Sequence, residues 1–238
     1  MKRAIVAALV LVILTAGLQA GCGGVFTGSG NLETKEYTFT DFTSVEISSA
    51  FEFDISQSSS YGVSITADDN VLEKVEVTKE GNALKIGLKT MPRLGPATLK
   101  AEVTMPQLHG LVVSGASRGT ISDFSSAENL DITVSGASKV TGDITAGDAE
   151  FDISGASTIQ LEGSASDMAA NVSGASRLNM GGFMVNNANV TFSGASNGTI
   201  NVTGKLDAAL SGASKLSYIG EPTMGNINTS GASTLSRK

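Results

Sequence analysis

Seven serines stand in one repeated word. Ser-Gly-Ala-Ser begins at Ser114, Ser135, Ser154, Ser173, Ser193, Ser211 and Ser230, and its glycines are Gly115, Gly136, Gly155, Gly174, Gly194, Gly212 and Gly231. A serine hydroxyl becomes a nucleophile only when a neighbouring base takes its proton. The chain has a single histidine, His109, ahead of the whole array, and one imidazole cannot serve seven identical serines. No catalytic residue is expected there. Carboxylates and amides form the second candidate set: Asp131, Glu150, Asn189, Asp207 and Asn226 recur at one outward position, and Asp152, Asn171 and Asn228 at another. Stacked carboxylates could hold Ca²⁺ between layers. These columns mix Asp with Ala and Thr, so the expectation is a solvated polar face with amide ladders, with no metal and no cofactor. A denser acidic spot, Ala67 to Asn70, reads as the cap of a short helical turn. A matched threonine lattice for ice binding is absent from the outward positions.

The third candidate is the only thiol, Cys22. Lys2 and Arg3 precede an apolar run from Ala4 to Leu14, and small residues follow, the pattern of an export signal. The stretch "LQAGCGG" resembles a lipobox, with cleavage before a cysteine that then carries the lipid. Gln19 stands where leucine is usual, and ordinary cleavage after Ala20 is the alternative. The expected location is the cell envelope, as an outer-membrane or cell-surface lipoprotein with a lipid anchor on Cys22 as its membrane contact. One cysteine excludes an internal disulfide.

With 238 residues, 41% hydrophobic and 16% charged, the chain can bury a substantial core. Its 28 glycines and lack of tryptophan suit many tight turns and thin layers. The formal charge is −7, and cleavage before Cys22 would remove Lys2 and Arg3 but no acid. Scattered single cations in an acidic chain argue against a nucleic-acid partner.

The elements that position these residues follow from the period. Successive words are 21, 19, 19, 20, 18 and 19 residues apart. Before each word the chain alternates: Val113, Val134, Ile153, Val172, Phe192, Leu210 and Thr229 immediately precede it, and Leu111, Ile132, Phe151, Ala170, Val190, Ala208 and Ile227 stand two places earlier. That is the signature of a half-buried strand. A unit of this size cannot bury its own apolar face, whereas stacked units pair in parallel and align their apolar residues in columns. The predicted fold is all-β: a right-handed parallel β-helix (β-solenoid) with rungs of about 19 residues. A propeller blade needs about twice this period. In the corner, glycine supplies positive φ or close backbone approach, alanine is expected to fill a narrow inward slot, and the serines to bond along the stack.

Four segments result: residues 1–21 a signal peptide, 22–38 a linker, 39–110 an amino-terminal β region, and 111–238 the SGAS-repeat β-helix. Within 39–110, "SSAF" at Ser48 to Phe51 looks like a degenerate corner and Glu80 to Asn82 like a hairpin turn. The alternatives of a capping segment and a second sub-domain stay open.

"FTSVEISSAFEFDISQ", "ITADDNVLEKVEV", "LKIGLK", "VTMPQLHGLVVSGAS", the repeated word and "SYIGEPTMGNINTSGAST" together resemble the bacterial auto-transporter adhesin family with the head GIN domain. The likeness spans residues 39 to 234. It implies an exported, surface or envelope β-helical protein without established catalytic residues. No translocator barrel follows Lys238, so anchorage is expected to fall to Cys22. The expected function is a non-enzymatic, adhesin-like binding module for a glycan or surface protein. The alternatives are a carbohydrate-active enzyme on a β-helix, which would reveal itself as a groove of ionisable groups, and a structural or envelope-stress lipoprotein.

Overall fold

The computed structural model describes residues 25–89 and 93–238; Cys22 lies outside them. The strands are β1 (Leu32–Tyr37), β2 (Ser44–Ile47), β3 (Glu52–Gln57) and β4 (Gly62–Asp68). A one-turn helix, α1 (Asp69–Leu72), precedes β5 (Val75–Glu80), β6 (Ala83–Leu88), β7 (Leu99–Met105), β8 (Gly110–Val113) and β9 (Arg118–Ser125). Then come β10 (Leu130–Val134), β11 (Lys139–Thr145), β12 (Ala149–Ile153), β13 (Thr158–Val172), β14 (Arg177–Phe192) and β15 (Asn197–Val202). The chain closes with β16 (Lys205–Leu210), β17 (Lys215–Ile219), β18 (Thr223–Thr229) and β19 (Thr234–Arg237).

From β8 onward the pairing is parallel and in register with the repeat. One ladder runs β8, β10, β12, the second half of β13, the second half of β14, β16 and β18. The other runs β9, β11, the first halves of β13 and β14, β15, β17 and β19. Each SGAS word joins a strand of the first ladder to one of the second, making a β-solenoid. The inward columns are continuous: Val113, Val134, Ile153, Val172, Phe192 and Leu210 are all buried. Unequal rung lengths are absorbed away from the SGAS corner, as register shifts between Gly142 and Ile144, Gln160 and Glu162, and Asn179 and Met184.

Residues 44–57 enter the same stack. β2 pairs in parallel with both β6 and β8, and β3 with both β7 and β9. The β2–β3 rung is therefore inserted between the β6–β7 and β8–β9 rungs that follow it in sequence. Its corner is the degenerate word: Ser49 and Ala50 have φ of 68° and 62°, and Ala50 N–H donates to the Gly115 carbonyl at 2.9 Å. Beyond the β6–β7 rung the direction changes. β5 closes one ladder antiparallel to β6, and β4 followed by β1 closes the other antiparallel to β7.

The corner differs in one respect from its sequence expectation. Ala116 and its equivalents are exposed, and the second serine of the word is the buried residue: Ser117, Ser138, Ser157, Ser176, Ser196 and Ser214 form an internal ladder. The Gly-Ala pair is the tip of a two-residue turn, so both face outward, and the inward alternation restarts at the following serine. The glycine is dictated by backbone approach. Gly174 has φ +75°, and a Cβ there would lie 2.4 Å from the Gly155 carbonyl oxygen. That closeness lets the corners pair as strands do, as in Ala175 N–H to Gly155 O at 2.8 Å and Ala195 N–H to Gly174 O at 2.8 Å.

Candidate functional site

The corner serines do not assemble an active site. His109 immediately precedes β8, and its backbone N–H donates to Thr43 O, whereas Ser114 follows the other end of that strand. Two hydroxyls of the buried ladder donate to backbone: Ser196 Oγ reaches the carbonyls of Ser193 and Val172, and Ser214 Oγ that of Ser211. These groups satisfy the fold rather than a ligand.

A groove opens on the first ladder instead, at the entry to β10, β12, the second half of β13, the second half of β14 and β16. It encloses about 330 Å³ and is lined by Asn129, Asp131, Asp148, Glu150, Asp167, Asn187, Asn189 and Asp207 over Ala149, Met168, Ala169 and Ala188. Register explains the convergence. Asp131, Glu150, Ala169, Asn189 and Asp207 are successive partners in one outward column. Ala169 alone in that column lacks a polar end, and the short side chain leaves the depression.

Two residues earlier on each strand, outside the columns recognised from sequence, runs a second column: Asn129, Asp148, Asp167 and Asn187. Its side chains are tied rung to rung. Asn129 Oδ1 accepts Asp148 N–H at 3.2 Å, Asp148 Oδ1 accepts Asp167 N–H at 3.3 Å, Asp167 Oδ1 accepts the Asn187 side-chain amide at 2.8 Å, and Asn187 Oδ1 accepts Lys205 N–H at 3.0 Å. The signal was present as Asn-Leu-Asp, Asp-Ala-Glu and Asn-Ala-Asn at residues 129–131, 148–150 and 187–189, polar pairs two apart on one strand face.

The groove's carboxylates thus fall into two kinds. Asp148 and Asp167 spend lone pairs on the next rung. Asp207 does the same, accepting Asn226 N–H at 2.6 Å and pairing with Lys205 at 2.8 Å; the Lys205 contact, then the Asn226 amide, holds its carboxyl below the usual range. Asp131 and Glu150 make no side-chain hydrogen bond among the described residues and remain open to a ligand. Of the column after them, Asn171 donates to Asp152 at 3.0 Å, an amide ladder of the expected kind. Among the described residues no three His, Cys, Asp or Glu side chains converge to hold a metal ion.

The acidic spot at Ala67 to Asn70 does initiate α1, yet Asp68 does not cap it with its side chain. Its buried carboxylate accepts Gly30 N–H at 2.6 Å and Thr98 N–H at 2.7 Å, which keeps its pKa low and staples the amino-terminal segment to the start of β7.

The family described as "Putative auto-transporter adhesin, head GIN domain" matches residues 41–222. Three crystal structures share the fold. A putative adhesin from Bacteroides fragilis NCTC 9343 superposes with TM-score 0.84 at 23% identity, over 90% of this chain and 100% of that one. A putative lipid binding protein from Parabacteroides distasonis ATCC 8503 gives 0.71 at 21%, over 90% and 100%. A putative adhesin from Parabacteroides merdae ATCC 43184 gives 0.69 at 20%, over 90% and 98%. At such identities the likeness is one of fold. None of the curated proteins matches the chain.

Proposed function

The chain belongs to the putative auto-transporter adhesin family with the head GIN domain, and on that premise we propose that it is a non-enzymatic recognition module of the cell envelope. A lipid on Cys22 holds it to the outer membrane, and the groove on the first ladder takes a glycan or a surface protein. The observation that carries this reading is the groove itself. Carboxylates and amides from five rungs line one depression, and rung-to-rung bonds hold its Asn129, Asp148, Asp167 and Asn187 column in place before any ligand arrives, beside the unbonded carboxylates of Asp131 and Glu150. Pre-ordered polar groups suit recognition of hydroxyls and amides, because little side-chain entropy is lost on binding. The test is a binding screen of the full chain against glycan and surface-protein arrays. Glu150→Ala and Asp131→Ala should abolish the hit without lowering Tm, and Cys22→Ser should move the protein from the membrane to the soluble fraction. No hit on any array, or a hit indifferent to both groove variants, would sink the assignment.

One observation favours a second reading. Asp131 and Glu150 are register partners one rung apart, about 4.8 Å between strands, near the roughly 5–5.5 Å carboxyl separation of retaining glycosidases. A carbohydrate-active enzyme would release new reducing ends from a bound glycan and lose that activity in Glu150→Gln. The other groove acids are occupied as acceptors for the next rung, and the lining offers no histidine or arginine, so recognition without cleavage is the better supported reading.

A further inference from the structure

The second ladder carries a different surface. Arg118, Lys139, Thr158, Arg177, Asn197 and Lys215 are consecutive register partners, each the first residue after its SGAS word. Four of the six are cations, and all four are exposed. Ion pairs among the described residues are Lys85 with Glu46 and Glu80, Lys205 with Asp207, and Arg237 with Glu221, so none of the four is neutralised in this way. In a chain of net charge −7, the fold has gathered scattered basic residues into one line. The column two residues further along the strands is uncharged and hydrogen-bonding: Thr141, Gln160, Asn179 and Thr199.

We propose that this face binds a linear anionic polysaccharide laid along the solenoid axis. From Arg118 to Lys215 is five rungs, about 24 Å at the usual strand spacing. Lys139 to Arg177 and Arg177 to Lys215 are each two rungs, about 10 Å, matching a glycan that bears its acid group on alternate sugars. The neutral column alongside offers donors and acceptors to the intervening hydroxyls. Neither column contains an aromatic side chain on which nucleic-acid bases could stack. Acidic neighbours bound the site. Glu52 and Asp54 adjoin its upper end, as partners of Arg118 and Thr120. Asp143 and Glu162 lie four residues along their strands, about 13 Å away. That exceeds the screening length of about 10 Å at roughly 0.1 M salt.

The proposal does not require the acidic groove to bind anything, and the two fail separately because each has its own variants. The experiment is affinity chromatography of the full chain on immobilised hyaluronan (carboxylate on alternate sugars), heparin (added sulfates) and neutral dextran. Retention on hyaluronan, weakening as salt is added, is expected. Arg177→Glu/Lys215→Glu should weaken it at least about tenfold at unchanged Tm. Lys74→Glu/Lys79→Glu, the same charge change at the other end of the molecule, should leave it within about twofold. Stronger retention on heparin would place the source among sulfated glycans and keep the anionic class. Equal binding to dextran, to single-stranded DNA or to anionic lipid vesicles would overturn the proposal. So would equal loss in the two double variants, or a dimer in light scattering that the ladder variant alone dissolves.

Discussion

Ser196 and Ser117 occupy the same position of the same word, and their hydroxyls have different fates. Ser196, fully buried, bonds the Val172 carbonyl at 3.1 Å as well as that of Ser193. Ser117, equally buried, has no partner for its Oγ, and neither has Ser138. Ser117 follows the corner in which Ala116 as well as Gly115 takes positive φ (68° and 65°), beside the degenerate SSAF rung, whereas in the corner before Ser138 only Gly136 does. A buried hydroxyl with a partner contributes about 1 kcal/mol, whereas an unpartnered one carries its desolvation cost alone. Ser196→Ala should therefore destabilise by about 1 kcal/mol in urea unfolding, and Ser117→Ala should be neutral or stabilising. Equal losses would mean that the ladder acts through packing alone. The inward serine was not legible from the word SGAS, because alternation breaks at a two-residue turn and the phase on its far side depends on turn geometry.

At the level of elements, the cap shows what periodicity conceals. The repeat disclosed the strands, the parallel pairing and the inward columns from Val113 to Leu210, since every rung reports the same geometry. It could not disclose that β2–β3 inserts between β6–β7 and β8–β9, because nothing local in a strand names its non-local partner. Nor did it show how the ends differ. The outermost cap strands β1 and β5 carry Glu33, Lys35, Glu36, Glu76, Lys79 and Glu80, charges that discourage edge-to-edge pairing, whereas β18 carries none. Asp68 holds this cap in place by accepting from Gly30 and Thr98. Its native pKa is lowered from an ordinary 3.8, chiefly by the Thr98 and then the Gly30 hydrogen bond. The carboxylate therefore contributes stability in full above the unfolded value, and that contribution disappears as pH falls through the lower native one. Asp68→Asn should melt earlier than the wild type at neutral pH, and the gap in Tm should close as the solution is acidified below about pH 4. A gap independent of pH would show that the loss is steric.

Across the whole molecule, the two ends have unequal positions relative to an anchor. Val25 begins the described chain beside the 93–96 loop: Phe26 N–H donates to Arg93 O at 2.9 Å, and Gly95 N–H to Phe26 O at 2.8 Å. Cys22 is three residues upstream, within about 11 Å of Val25 even in a fully extended chain. With the proposed lipid on Cys22, the cap lies at the membrane. The corner at Ala232 stands seven rungs beyond the one at Ala50, about 34 Å along the stack. Both the groove and the basic column then run outward along the solenoid, where an extended ligand can lie on either without meeting the bilayer. Fluorophores attached at Glu76→Cys in the cap and Asn228→Cys in the last rung, with the lipidated chain in vesicles carrying spin-labelled headgroups, separate the arrangements. Quenching at residue 76 and little at residue 228 is expected. Equal quenching would mean that the solenoid lies flat, with one of its two polar faces occupied by lipid rather than by a glycan.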